Sequence, residues 1–377
     1  MKIDFYKHNL TNEDKRECRN VLDSLFITTG TLVSEFEKKF SLYSKNEYTV
    51  GVNSCTDALY LALKYFEIST GDEVITTPLS FIATANAIEY TGATPVFVDV
   101  ESTTGNIDAE RIEQSITSKT KAILVVHLYG QMCDMKRIRK IADKHKIKII
   151  EDCAHCIEGD RDRVRPGQLG DIACFSFYAT KNITSGEGGA LTCHNSETYE
   201  WLKKARLHGM SKNAADRYSK KYEHYDMEFL GIKSNMTNIQ AALLLHQLDR
   251  IETYRDKKER ICKKYIKGLK NNPNIQLPQV LPKSTHARHL FTIWVDPERR
   301  DAIMHSLQDA DIGVAVNFRT IHLMSYYKKK YGFHHGDFPN AERIGASTIT
   351  IPLYPRLKTS ETTYILETIN TITTAEK

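Results

Sequence analysis

Hydrophobic and polar positions follow two alternating periods along the first half of the chain. Short, strongly apolar runs at Tyr48–Asn53, Glu73–Thr77, Pro95–Val100, Ala122–Tyr129 and Lys148–Asp152 predict strands. Between them lie stretches with helical spacing of apolar residues, starting at Thr56, Ala83, Asp108 and Met135. A run such as AILVVHLYG has no polar face to offer water, so such strands are expected to be covered on both sides. Strand and helix in strict alternation predict a mostly parallel sheet between helix layers, with ligands gathered outside the strand ends. Ahead of this pattern, helices over Asn12–Phe26 and Leu32–Tyr43 flank the break Thr28-Thr29-Gly30 and form a lead-in.

After the repeating pattern the segment Ile172–Cys193 reads as two strands joined by a tight return at Gly186-Glu187-Gly188-Gly189. A helix to about Leu207, a polar, tyrosine-bearing loop through Gly231 and a long helix from Asn238 to about Leu269 follow. The remainder reads as a small α/β unit. Its predicted elements are strand His289–Val295, helix Glu298–Ala310, strand Ile312–Asn317 and helices near Ala341 and Glu361. The expected architecture is α/β, a large domain over residues 1–250 and a smaller C-terminal one over 251–377.

Composition narrows the class. At 377 residues and 41% hydrophobic content the chain can bury enzyme-sized cores. A net charge of +5, spread over 52 basic and 47 acidic residues, gives no support for nucleic acid as a partner. The run Lys328-Lys329-Lys330 reads as a solvated helix face. Eight scattered cysteines suit reduced thiols, and the CxxC at Cys153 and Cys156 lacks a second pair at metal-site spacing, so no metal is expected. The N-terminus MKIDFYKHNL has no signal-peptide core, and no run is long and apolar enough for a membrane span, which makes a cytoplasmic location the expectation.

Candidate chemistry gathers where the predicted strands end. The first strand of Ile172–Cys193 delivers Lys181, and a lysine withdrawn from water keeps more of its amine free to attack a carbonyl. Asp152 closes the strand that precedes it and can lie on a neighbouring strand. Asn53-Ser54-Cys55-Thr56 falls between a strand and a helix, where hydroxyls and backbone N–H groups meet an anion. Each has a plainer reading: a lysine that snorkels to solvent, a structural Asp–Lys pair, an ordinary helix cap. Together they are the lysine, carboxylate and anion cradle that pyridoxal 5′-phosphate requires.

The segments EDCAH, FSFYATKNITSGEGGAL, NSCTDAL, GDEVITTPLSFIATANAI and GIKSNMTNIQAAL resemble the motifs of DegT/StrS-type nucleotide-sugar aminotransferases, over about Thr29 to Leu357. That resemblance implies a fold-type I enzyme using pyridoxal 5′-phosphate. It makes Lys181 the Schiff-base lysine and proton shuttle, Asp152 the partner of the ring nitrogen, Phe81 the residue stacked on the ring and His155 a neighbour of the ring hydroxyl. Ser176, Cys55 and Thr56 match the phosphate shell, and Asn235 matches an asparagine that reaches the neighbouring subunit's cofactor phosphate, which implies a homodimer with shared sites. Lys233 and Ser234 depart from the family's usual Asn and Tyr. AVNFRTIHLMSYYKKKYG is similar to a segment of relatives acting on UDP-linked 4-keto sugars, which puts Arg319 and His322 near the sugar or its diphosphate.

The implied reaction moves an amino group from L-glutamate to a nucleotide-linked 4-keto (6-deoxy)hexose, in amino-sugar biosynthesis for cell-surface glycans. Amination at C3, or a non-enzymatic sensor or scaffold on the same fold, are the alternatives. Dehydratase relatives carry histidine where Lys181 stands, and a sensor would be expected to lose Lys181 or Asp152. A cysteine desulfurase would want a mobile cysteine, whereas Cys153 and Cys156 follow a rigid strand end.

Overall fold

Strand β5 (Lys148–Asp152) lies at the centre of one sheet in the computed structural model, which describes residues 1–211 and 224–374. With it are β1 (Tyr48–Val52), β2 (Glu73–Thr76), β3 (Thr94–Phe97), β4 (Thr120–Val126), β7 (Ile172–Ser176) and β8 (Gly189–Cys193), in the order β1-β8-β7-β5-β4-β2-β3. β6 (Asp160–Arg161) lies off the sheet and pairs with β9 (Ser284–Thr285). Among the described strands of the sheet only β8 runs against its neighbours; β7, β5, β4, β2 and β3 pair in parallel.

The period of two in the strands sorts side chains to opposite faces. Leu124, Ile150, Cys174 and Leu191 join the apolar face covered by the helices Cys55–Tyr65, Ala83–Tyr90 and Ser196–Ala205. Ile123, Val125 and Ile149 pack on the other face against Met135 and Ile138 of the helix Met135–His145. Farther along that face, Ala173, Phe175 and Ala190 meet Phe36 and Phe40 of helix Thr31–Ser44 and Leu244 and Leu248 of helix Asn238–Leu269. Both faces are therefore dry, as strands this apolar require.

The helix Asn238–Leu269 starts on a capping box between Thr237 and Gln240 and contributes to two cores. Its first half packs on the sheet; Ile261, Cys262, Tyr265 and Leu269 join a C-terminal core with Phe291, Ile293, Ile349 and Ile365. That smaller α/β unit holds β10 (Phe291–Trp294) antiparallel to β11 (Thr348–Ile351). Ile3 joins it, its N–H donating to the Asp311 carbonyl at 2.8 Å. Among the described residues no helix is long and apolar enough to cross a membrane.

Several expectations shift. The expected strand Ile312–Asn317 makes only single bridges, Ile312 to Ile3 and Ala315 to Thr350, because the place beside β10 is taken by Thr348–Ile351. The run expected to stay extended to Tyr129 stops at Val126, where Leu128–Gly130 turn and Tyr129 takes φ +59°. The helix expected from Asp108 is a single turn, Ala109–Ile112. The polar, tyrosine-bearing loop lies partly outside the described residues. Lys328-Lys329-Lys330 do lie on a helix, Ser325–Tyr331, with Lys330 paired to Glu89.

One buried ion pair secures the edge of the sheet. Arg206 Nη1 donates to Glu37 Oε1 at 2.5 Å and to the Gly51 carbonyl at 2.6 Å, while the Gly51 N–H donates to the same Glu37 oxygen at 2.8 Å. Arg206→Ala strands the Glu37 carboxylate out of water, at a cost of about 3–5 kcal/mol. A chemical-denaturation midpoint that falls accordingly supports this role, and an unchanged midpoint removes it.

Candidate active site

Lys181 is placed by a return that the sequence builds between β7 and β8. Phe177, just past β7, is clamped edge-on against Phe36 at 5.3 Å and Phe40 at 5.7 Å, and its N–H donates to the Gly188 carbonyl at 2.8 Å. The Ser185 N–H donates to the Phe177 carbonyl at 3.0 Å, and the Lys181 N–H to that of Tyr178 at 2.9 Å. Gln247 on the long helix grips the return twice, accepting from the Thr184 N–H at 3.1 Å and donating to the Thr184 carbonyl at 2.7 Å. At Gly188 a Cβ would come within 2.4 Å of Ser185 Oγ, so a larger residue would push that hydroxyl from its bond to the Glu187 carbonyl.

The Lys181 amine is thereby held beside a cavity of about 470 Å³ that Asp152 also lines. Burial lowers the Lys181 pKa from 10.5 to about 8, against the pull of Asp152 and Cys55. Asp152 ends β5; Thr84 Oγ1 donates to its Oδ2 at 2.8 Å and the Ala154 N–H to its Oδ1 at 3.1 Å. Burial raises the Asp152 pKa, and those two hydrogen bonds and the Lys181 charge oppose the rise. A cationic N–H brought opposite this carboxylate would supply the partner that burial has taken away.

The same cavity is bordered by Ser54, Cys55 and Thr56 at the start of the helix Cys55–Tyr65. Ser54 caps that helix by accepting from the Asp57 N–H at 3.1 Å. The Cys55 and Thr56 N–H groups have no carbonyl a turn behind them and are left for an anion. Gly189 is what lets β8 pass so close: a Cβ there would lie 2.4 Å from the Ser54 carbonyl carbon. Ser176, at the end of β7, borders the cavity too.

The wall opposite is aromatic. The His155 ring stacks on His289, centroids 4.5 Å apart, and on Phe318 at 5.5 Å, while Phe81 lies 6.1 Å from Phe318 at the exposed mouth. Burial, with the Lys181 charge beside them, holds both histidines well below the usual imidazole range, so both are neutral. Their Nδ1 atoms are buried without a partner among the described residues.

Lys181, Asp152, Cys55, Thr56, Phe81, His155 and Ser176 thus meet around one cavity. Asn235, Arg319 and His322 are not part of its lining. Asn235 pairs with Val52 through its backbone, but its side chain donates to Thr29 Oγ1 at 2.6 Å and accepts from Lys233, beside a separate surface cavity. His322 is fully buried, bonded to Glu342 at 3.1 Å and packed 4.7 Å from Phe338, and Arg319 is exposed. Thr84, His289 and Phe318 join the site beyond the residues that sequence reasoning singles out. Thr84 and Phe318 sit inside motifs quoted above, close to residues singled out there, whereas His289 arrives from the C-terminal half and carries no local signal.

His127, Glu151 and Cys153 also cluster, behind Asp152. His127 Nε2 bonds Glu151 at 2.8 Å, its Nδ1 accepts from the Cys133 N–H at 3.2 Å, and Glu151 accepts from the Gly167 and Gly170 N–H groups. The group is a closed hydrogen-bond network.

Residues 8–370 match the profile described as the DegT/DnrJ/EryC1/StrS aminotransferase family. This chain belongs to that family. The aminotransferase is 40% identical over 366 residues to the spore coat polysaccharide biosynthesis protein SpsC of Bacillus subtilis (strain 168), covering 96% of this chain and 94% of the relative. It is 36% identical to a GDP-perosamine synthase of Escherichia coli O157:H7, covering 98% of each. Among solved structures it is similar to the putative sugar aminotransferase Spr1654 of Streptococcus pneumoniae in its PMP form, with 32% identity, a TM-score of 0.93 and 99% of each chain covered.

The enzyme is a sugar aminotransferase dependent on pyridoxal 5′-phosphate, and its fold is that of fold-type I enzymes. The amine with a lowered pKa, the buried carboxylate and a cradle that a Cβ on Gly189 would fill suit an anionic aldehyde with a basic ring nitrogen. When bound, that cofactor supplies an electron sink for the bond to the α-hydrogen of an amino donor.

The lowered Lys181 pKa yields a direct test. In apoprotein exposed to an acylating reagent, peptide mass mapping should show Lys181 reacting at half its maximal rate near pH 8, far below the ordinary lysine value of 10.5. A midpoint at the ordinary value would show a solvated amine.

Proposed function

We propose that this aminotransferase transfers the amino group of L-glutamate to the keto carbon of a nucleotide-linked 4-keto (6-deoxy)hexose, for amino sugars of cell-surface glycans. The observation that carries the reading is the convergence of Lys181, Asp152 and the Ser54–Thr56 cradle on one cavity. In it Lys181 Nζ holds the cofactor covalently and, when free, carries the proton taken from the donor's α-carbon. Asp152 keeps a proton on the ring nitrogen, held in place by Thr84 and Ala154. Cys55, Thr56 and Ser176 would receive the phosphate, Phe81 would cover the ring and His155, neutral, would face its hydroxyl; all line the same cavity. Arg319, exposed directly after the cavity residue Phe318, is the cation offered to the sugar diphosphate, and buried His322 braces that segment through Glu342. The spore-coat polysaccharide and GDP-perosamine relatives support a nucleotide sugar as acceptor.

The reading includes a homodimer in the cytoplasm, with large and small domains dividing near residue 250. Asn235 serves no part of its own cavity, and Lys233 and Thr29 hold its amide at another surface. The neighbouring segments expose Leu25, Ile27, Met227 and Leu230, apolar surface that a second subunit would cover.

Two experiments test the proposal. Incubation with glutamate and a panel of 4-keto and 3-keto sugars on UDP, dTDP and GDP, read by mass spectrometry, should give an amino sugar from a 4-keto substrate. Conversion of only the 3-keto sugars would overturn the regiochemistry. Mixing inactive Lys181→Ala with an impaired Asn235→Leu variant should restore part of the activity, since one site of each heterodimer then has both residues. No recovery after proven subunit exchange would mean that sites are not shared.

A further inference from the structure

The residue after Lys181 is the hub of a buried polar network that the reaction itself does not call for. Asn182 Nδ2 lies 2.9 and 2.7 Å from the two carboxylate oxygens of Glu158 and donates to the Ala287 carbonyl at 3.0 Å. Glu158 is 2% exposed. The strongest favourable charge on it is Lys258 of the long helix, itself 3% exposed, whose Nζ donates to the same Ala287 carbonyl at 3.3 Å. One amide thus ties together three separate segments. The first carries Lys181; the second, His155 to Glu158, follows β5; the third, Ala287 to His289, comes from the C-terminal half.

A buried carboxylate and ammonium are a poor way to gain stability, because both lose hydration and apolar packing of similar volume does as well or better. What such a network supplies is geometry: apolar contacts would hold the three segments together, but directional bonds fix their register. The register matters here because each tied segment ends in a cavity residue. Lys181 adjoins Asn182, His155 precedes Glu158 by three residues, and His289, stacked on His155, comes two residues after Ala287.

We propose that Asn182, Glu158 and Lys258 are positioning residues that set Lys181 against the His155–His289 wall. This rests on Lys181 being the lysine that carries the cofactor. That premise is checked separately, by borohydride reduction of the holoenzyme and mapping of the modified peptide, so its failure is not mistaken for failure of the network.

The experiment exchanges donor and acceptor. Asn182→Asp sets two carboxylates face to face, and Glu158→Gln removes the charge that Lys258 balances. Each should lower kcat by roughly 100-fold, the scale of an ångström-sized misplacement of a reacting group, with little change in KM for the amino donor. In the apoprotein each should also move the acylation midpoint of Lys181, whose charged and titratable neighbours are Asp152, Cys55, His155 and His289. Combining Asn182→Asp with Glu158→Gln remakes the hydrogen bond between the two side chains with its direction reversed, but not the bond to the Ala287 carbonyl, to which a carboxylate has nothing to donate. That double variant should recover part of kcat and exceed the worse single variant, the remainder being the lost tie to the Ala287 carbonyl.

Thermal melting of each apoprotein separates this from a purely structural role, which would lower melting temperature and activity together and leave the midpoint where it was. Asn182→Ala removes the hub without adding a second carboxylate beside Glu158 and serves if Asn182→Asp does not fold. Wild-type kcat and midpoint in folded Asn182→Ala would overturn the proposal. So would a double variant that folds yet is no better than the worse single one.

Discussion

Taking an amine out of water without losing it to the nearest carboxylate is the constraint on which this structure turns. Lys181 and Asp152 share one cavity, each pushed toward its neutral form by burial and each drawn back by the other's charge. A solvated pair would leave the lysine protonated and unreactive, and a fully sealed contact would make it a salt bridge. The fold avoids both by giving Asp152 its own donors, Thr84 and Ala154, so that the carboxylate is not dependent on the lysine. A sheet with both faces covered by helices supplies the dry floor.

The one strand that runs against the others solves the placement problem. β8 returns between β1 and β7, so a single hairpin reaches both halves of the site. On the β7 side it closes the return that carries Lys181. On the β1 side Gly189 passes within a side chain's width of Ser54, where the anion cradle begins. Arg206 and Glu37 tie down Gly51 in the strand leading to that cradle. The distance from cradle to lysine is therefore governed by strand spacing, which hydrogen bonding holds nearly constant.

The cavity is completed from outside the sheet. His289 and Phe318 come from the C-terminal half, and they stack on His155, which follows β5. The long helix Asn238–Leu269 spans both cores, gripping the Lys181 return through Gln247 and balancing buried Glu158 through Lys258. Rigid floor and aromatic wall are thus joined through side chains of one helix.

The pattern of residues by itself determined most of the sheet and much of the chemistry. Short continuous apolar runs placed strands from Tyr48 to Asp152 because each buries both faces, and the mostly parallel direction followed from the intervening helices. Lys181, Asp152 and Ser54–Thr56 were legible because ligand groups at strand ends and helix starts are set by local geometry. Only the tertiary structure decided which segment would lie beside β10, since Ile312–Asn317 and Thr348–Ile351 are both apolar enough and the choice depends on packing. It alone brought His289 and Phe318 to His155, and Asn182 to Glu158 and Ala287. These contacts join residues far apart along the chain, and no local periodicity encodes which distant carbonyl or ring a side chain will meet.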